Sequence, residues 1–264
     1  MNKSIIFFDI DGTLIDEKTH IIPDSAKKAI RLARKNGHLA FINTGRTLCQ
    51  IKNLKKEIDF DGFICGCGTY IEYNNETLYH KCLGIDFTKK LIKSLKKYKL
   101  DAALESIDGV YYDYLYNIKH KEVLNIIEAH KHEGTYEDLT WDSHNLNVDK
   151  LVLFITEYSN FEGFFQEFKD TLDFIKRADD FYELAPKGCS KATGIEFIIN
   201  HLNIDFENTF GIGDSTNDLT MLQYVKNSIA MGNSNPQLFE YVNYITTDLL
   251  NDGIYSALAH YNLI

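Results

Sequence analysis

Asp9 and Asp11 stand two residues apart at the end of an uncharged run, Ser4-Ile5-Ile6-Phe7-Phe8, and are followed by Gly12 and Thr13. Such a run reads as a strand buried on both faces, as in a parallel sheet. Asp and Gly are poor strand residues and end it. Both carboxylates then lie just past the carboxyl end of an inner strand, where open α/β sheets bind their ligands. The plainer alternative is a strand-to-turn transition with acidic turn residues. The pattern recurs twice. Thr44-Gly45-Arg46 follows a second buried strand, His38–Asn43. There the Thr44 hydroxyl and nearby backbone N–H groups can hold a phosphate oxygen. Asp214-Ser-Thr-Asn217-Asp218 follows the short strand Thr209–Gly213; Asn217 and Asp218 could equally be capping residues. Lys191 stands at a predicted helix start, where a cation opposes the helix dipole unless an anion sits nearby. Lys187 competes with it for the same role.

The elements that must position these residues follow from periodicity and punctuation. Asp24, after Pro23, is a candidate N-cap and Gly37 a C-terminal stop; between them Ala26, Ala29, Ile30 and Ala33 recur at helical spacing. A strand–helix–strand unit of this length is a parallel crossover. A helix is predicted over 47–58, a third strand over 62–65, and a hairpin from 70–73 and 77–80 around Asn74-Asn75-Glu76. From about Cys82 the pattern changes. Predicted helices over 86–98, 119–132 and 160–169 alternate with strands over 102–105, 110–114, 150–156 and 171–176, the first two joined by a turn at Asp108-Gly109. Strands arriving as hairpins indicate a mixed α+β insert. The first pattern resumes at Tyr182, with Ser190 as N-cap of a helix through Ile195, Ile198 and Ile199 to His201. A helix over 219–225, a strand at Ser228–Met231 and a last helix over 253–260 complete it. The expected fold class is α/β. A Rossmann-like core with a mostly parallel sheet, residues 1–81 and 185–264, is interrupted by an inserted α+β domain at 82–184.

The chain has 264 residues and a formal net charge of −10, which argues against a nucleic-acid or anionic-membrane surface. Lys93, Lys96, Lys97 and Lys99 form the densest basic run and read as a solvated helix face. No apolar run approaches the ~18 residues of a membrane span, and the N-terminus passes directly into a strand with no visible signal peptide. The five cysteines lack paired metal spacing, with Cys65 and Cys67 separated by one residue. They read as reduced thiols of a cytoplasmic protein.

In order and over nearly the whole chain, these motifs resemble those of the haloacid dehalogenase (HAD) superfamily, and in particular its Cof-type phosphatases with a large α/β cap domain. The resemblance makes Asp9 the nucleophile that becomes phosphorylated and Asp11 the general acid and base. It puts Thr44, Gly45, Lys191 and Asn217 on the phosphate, and favours Lys191 over Lys187 because the family lysine stands at a helix start after a Pro-x-Gly loop. It implies Mg²⁺ held by the Asp9 and Asp214 side chains and the Asp11 carbonyl, with Asp218 acting on the water around the ion. One position departs from the pattern: Cof-type proteins usually carry Asn-Gly-Ala where this chain has Cys67-Gly68-Thr69. Cys67 itself reads as a loop or core thiol. Electrostatics asks for the cation independently. A phosphate beside Asp9 and Asp214 meets repulsion of about 4 kcal/mol per unit-charge pair at about 4 Å in an effective dielectric near 20, more than one lysine offsets. A hard divalent ion with oxygen ligands can do so.

The implied activity is hydrolysis of a small phosphate monoester (a sugar phosphate, nucleotide or phosphorylated cofactor) in two displacements through an aspartyl phosphate. Asp11 must carry a proton when the substrate arrives. The insert would exclude water and contact the leaving group, with Arg46 either facing it or held in a surface ion pair. Two rivals stand: a phosphomutase of the same superfamily, and a non-catalytic phospho-accepting module, which is usually about half this length. The expected partner is a small phosphorylated metabolite, not nucleic acid or membrane. The sequence leaves oligomeric state open.

Overall fold

The computed structural model describes residues 3–132, 134 and 136–264. The chain runs β1 (Ile5–Phe8), α1 (Asp24–Lys35), β2 (Leu39–Asn43), α2 (Leu54–Glu57), β3 (Gly62–Cys65), β4 (Tyr70–Tyr73), β5 (Glu76–His80), α3 (Ile85–Tyr98), β6 (Asp101–Glu105), β7 (Val110–Tyr112), α4 (Lys121–His132), β8 (Lys150–Phe154), α5 (Phe161–Phe168), β9 (Leu172–Lys176), β10 (Phe181–Pro186), α6 (Lys191–His201), β11 (Thr209–Gly213), α7 (Leu219–Tyr224), β12 (Asn227–Ala230), β13 (Tyr244–Ile245) and α8 (Gly253–His260). These elements form two units: the chain up to Gly45 with Asn53–Tyr79 and Ser190–Ile264, and Arg46–Lys52 with His80–Cys189. Among the described residues no helix is long and apolar enough to cross a membrane.

The first unit is built on an eight-stranded sheet of order β13-β12-β11-β1-β2-β3-β4-β5. Pairing is parallel from β13 to β3 and antiparallel between β3 and β4. The six parallel strands follow the doubly wound order of a Rossmann-like fold. Chain order reverses at β1, which has β2 on one side and β11 on the other. The carboxyl ends of those three strands therefore meet at the topological switch point, where such sheets place their ligands. β1 and β2 are buried at every position, as strands inside a parallel sheet must be. One core cluster joins Ile5, Phe7 and Phe41 to Ile195 and Ile198 of α6 and to Met221 and Leu222 of α7.

Local chemistry explains the ends of the elements. α1 closes with Gly37 at φ +92; Gly37 N–H donates to the Arg34 carbonyl at 3.0 Å and His38 N–H to the Ala33 carbonyl at 3.1 Å, the paired bonds of a Schellman cap. Asp24 is the first helical residue rather than the N-cap, which is Pro23. Its carboxylate still lies in the first turn, where the helix dipole favours it. Asn74 and Asn75 both take positive φ between β4 and β5, the conformation of a tight hairpin turn.

The second unit holds the antiparallel sheet β7-β6-β8-β10-β9. One cluster packs Leu91, Leu95, Phe164 and Phe168 of α3 and α5 with Leu104, Leu151, Leu153 and Leu184 of the strands. A second joins Val123 and Ile127 of α4 to Tyr112, Val152 and Phe154. Two expectations are corrected here. Residues 182–186 do not resume the first sheet: β10 pairs antiparallel with both β8 and β9, so it is an inner strand of this one. The single helix expected over 47–58 is instead a 3₁₀ turn at Leu48–Ile51 and the short α2. Cys49 is buried in a cluster of the second unit, while Leu54 is buried and belongs to the first unit.

Phe41 tests the core of the first unit. Its ring lies 5.9 Å from those of Phe7 and Tyr73 and is fully buried. Phe41→Ala is expected to lower unfolding free energy by about 3–5 kcal/mol in urea titration, whereas Ile21→Ala at a 60% exposed position should stay within about 0.5 kcal/mol. Similar values for the two would contradict this packing.

Candidate active site

The site grows from the carboxyl ends of β1, β2 and β11 and the start of α6. Asp9 follows β1 directly and is 3% exposed; Asp214 follows β11 and is 9% exposed; Asp218, one turn later, is fully buried. A carboxylate oxygen from each lies within 4.8 Å of the other two. Lys191, the first residue of α6, enters this group: its Nζ donates to Asp9 Oδ1 at 2.5 Å and to Asp218 Oδ1 at 2.6 Å. Ser190 caps α6 by accepting from Thr193 N–H at 3.1 Å, which fixes where the helix begins and so where Lys191 projects.

The backbone is shaped around these groups. Gly12 has φ +78, and a Cβ there would strike the Asp214 carboxylate. The Thr13 hydroxyl donates to Asp214 Oδ1 at 2.8 Å. Asp218 Oδ2 accepts from the backbone N–H groups of Asp214 and Ser215, both at 3.0 Å. Asp218 therefore engages both oxygens with protein donors and locks the turn after β11. Among the described residues, Asp9 and Asp214 each accept a side-chain hydrogen bond from one protein donor and retain oxygen lone pairs for a ligand. Asn233 ties two segments together, donating from Nδ2 to the Gly12 carbonyl and accepting at Oδ1 from Leu249 N–H, each at 2.8 Å.

The remaining predicted residues are placed as follows. Thr44 is 1% exposed at the end of β2, and its carbonyl accepts from Cys67 N–H at 3.1 Å. Gly45, half-buried, is the last residue of this stretch of the first unit. Asp11 is half-buried in the tight turn closed by Gly12 N–H to the Ile15 carbonyl at 2.9 Å. Asn217 is half-buried, and its Oδ1 accepts from the Ser215 hydroxyl. Lys187 is exposed and belongs to the second unit. At the variant loop, Cys67 takes φ +56, and a Cβ on Gly68 would strike the Ser190 backbone. A glycine there lets the loop seat the start of α6. Thr13, Asn43 and Asn233 carry site contacts that the sequence did not assign. Thr13 stood inside the opening motif, Asn43 was visible as the one polar residue of β2, and Asn233 stood in the Gly-Asn loop after the strand at Ser228–Met231 with no contact assigned to it.

Three carboxylates against one ammonium leave a surplus of negative charge in a buried space. Burial pushes the Asp9 carboxyl well above its usual range, and Asp218 pushes further while Lys191 opposes. Burial and Asp218 together raise Asp214 to about 7, against the pull of Thr13 and Lys191. Burial works against the Lys191 ammonium, but Asp218 and Asp9 outweigh it and raise its pKa. Lys191 is thus favoured in its charged form, and the surplus of negative charge favours protonation of the Asp9 and Asp214 carboxyls when no other cation is present. The donor set fits Mg²⁺: hard carboxylate oxygens, excess negative charge and no sulfur or imidazole among the clustered ligand atoms.

The matching family model is that of haloacid dehalogenase-like hydrolases, over residues 6–258. YkrA of Bacillus subtilis (strain 168), provisionally named a phosphatase, is 30% identical over 266 residues with full coverage of both chains. An HMP-PP phosphatase of Yersinia pseudotuberculosis is 26% identical, covering 88% of this chain and 84% of its own. The solved structure of BT4131, described as a sugar phosphatase of HAD subclass IIB, superposes with a TM-score of 0.82 at 26% identity, covering 99% of this chain and all of the other. The chain belongs to the haloacid dehalogenase-like hydrolase family, in its Cof-type branch.

The raised carboxyls make a thermodynamic prediction. A carboxyl whose folded pKa exceeds its unfolded value of about 4 stabilises the fold fully below that value, and the contribution is lost as pH rises through the folded pKa. For Asp214 that window runs from about 4 up to about 7. A divalent cation replaces the lost proton, so Mg²⁺ should raise the thermal midpoint more at a pH of about 8 than at about 5.5. Equal shifts at both pH values, or none, would contradict the charge surplus.

Proposed function

We propose that this protein is a Mg²⁺-dependent phosphatase acting on a small phosphate monoester through a phosphorylated Asp9. The observation that carries the proposal is the buried cluster itself: Lys191 bridging Asp9 and Asp218, with Asp214 beside them. The relatives named above support phosphatase chemistry, and their names include an HMP-PP phosphatase and a sugar phosphatase. A small phosphorylated metabolite is the corresponding substrate class here.

In this proposal the Asp9 and Asp214 side chains and the Asp11 carbonyl would hold Mg²⁺, which supplies charge neutralisation for the phosphate and the nucleophile. The protein groups do the rest. Asp9 attacks phosphorus in line while Asp11 protonates the departing alcohol oxygen. Water then attacks the aspartyl phosphate, Asp11 takes its proton, and Asp9 is regenerated with release of phosphate. Lys191 aims Asp9 and favours its ionised form against the push of burial and Asp218, and it offsets phosphate charge. Thr44, Gly45 and Asn217 supply polar contacts to the phosphate oxygens. Asp218 keeps Lys191 and the Asp214 turn in register through its three hydrogen bonds.

The test is phosphate release over a panel of sugar phosphates, nucleotides and phosphorylated cofactors. Turnover should vanish in excess chelator and return with Mg²⁺, and should need no bisphosphate activator, which separates hydrolysis from mutase chemistry. Asp9→Asn should fold and lose essentially all turnover, because an amide cannot attack phosphorus. Near wild-type rates in that variant would remove the mechanism. Lys191→Ala should lower kcat by at least about 100-fold, a loss typical of removing a preorganised charge at a reacting centre, while Lys187→Ala should change it little. The reverse ranking would show that the wrong lysine has been assigned.

A further inference from the structure

Asn43 is the last residue of β2 and has no exposed surface. The rest of that strand, Leu39-Ala-Phe-Ile42, is apolar, and a buried amide there carries a desolvation penalty that an apolar side chain would avoid. Its Nδ2 donates to the Lys191 carbonyl at 3.1 Å. Only the NH₂ end can face a carbonyl, so chemistry fixes the orientation of the amide. Its Oδ1 is buried and has no hydrogen-bond partner among the described residues. The fold thus gains one bond and leaves one acceptor unmet. Nor does the Lys191 carbonyl require this donor: it belongs to the first residue of α6, and such a carbonyl already accepts from the N–H four residues on. Stability alone gives no reason for an asparagine here, and an unmet buried group of this kind calls for another explanation.

We propose that Asn43 is a positioning residue for the reaction. It pins the backbone of Lys191, and through it the span of the ammonium between Asp9 and Asp218 at 2.5 and 2.6 Å. The inference rests on the proposed role of Lys191 as the charge that holds the nucleophile. Asn43 also precedes Thr44 directly, so the end of one strand fixes both a phosphate contact and the root of the lysine. A lysine side chain has many rotamers, and two short hydrogen bonds to different carboxylates need its backbone held in place. Loss of the amide frees the start of α6, and Nζ then pairs with one carboxylate at a time.

The experiment compares wild type, Asn43→Ala, Lys191→Ala and the double variant in Mg²⁺-dependent hydrolysis of p-nitrophenyl phosphate, with thermal midpoints alongside. In Asn43→Ala, kcat should fall about tenfold with KM within about twofold, the signature of a contact that acts in the transition state. In the Lys191→Ala background the same change should cost nothing further, because residues acting through one group are not additive. Lysine-selective NMR gives a readout independent of turnover. The Lys191 ammonium, buried and ion-paired, should give a slowly exchanging signal in wild type that broadens or disappears in Asn43→Ala. An unchanged kcat, a full further loss in the double variant, or an unchanged ammonium signal would each overturn the proposal. Should wild type show no turnover, the phosphatase assignment fails and the ammonium signal still decides this one. If Asn43→Ala does not fold, Asn43→Leu restores the volume without the donor and carries the same expectations.

Discussion

One buried ammonium organises the switch-point end of the sheet in the first unit. The Lys191 side chain is 1% exposed. An unpartnered lysine at that depth would give up its proton; two carboxylates at hydrogen-bond distance keep it charged. That requirement reaches back into the fold. The start of α6 has to lie beside the ends of β1 and β11, which the order reversal at β1 allows. Ser190 has to cap the helix there, and Gly68 has to lack a side chain so that its loop can meet Ser190. Gly213 is constrained in the same way, since a Cβ would come within 2.7 Å of Asp218.

Such a cluster is weak as a source of stability, because taking several charges out of water offsets much of their attraction. The apolar contacts of Phe7, Phe41, Ile195 and Met221 supply stability instead. What the cluster provides is an unbalanced field: negative charge held in excess, fixed by backbone geometry and answerable by a divalent cation with its anionic ligand. The phosphatase proposal gives that imbalance a purpose. The carboxyl of Asp214, raised to about 7 by burial and Asp218, reflects that surplus of negative charge.

Much of this was legible in the chain, for physical reasons. β1, β2 and β11 are buried on both faces, so they appear as apolar runs, and polar residues at their ends stand out. Asp9, Thr44 and Asp214 stood out that way as candidates, whereas Lys191 was preferred to Lys187 through the family resemblance, its place at a helix start adding an electrostatic reason. The last helix, Gly253–His260, follows its predicted bounds. The failures share a cause. The segment at 47–58 has helical composition, but Cys49 and Leu54 serve different units. β10 adjoins the return to the first unit in sequence, yet its hydrogen bonds go to β8 and β9. Asn43, Thr13 and Asn233 act on residues more than 100 positions or a whole strand away. No local pattern encodes such partners.

The central claim is that Asp9 is the atom donor to phosphorus. The direct measurement is rapid acid quench during turnover, followed by proteolysis and mass spectrometry. The account predicts one added phosphoryl group on the peptide containing Asp9, chased away as phosphate accumulates. A phosphoryl group on any other residue, or turnover with no modified peptide under conditions that trap authentic acyl phosphates, would contradict it.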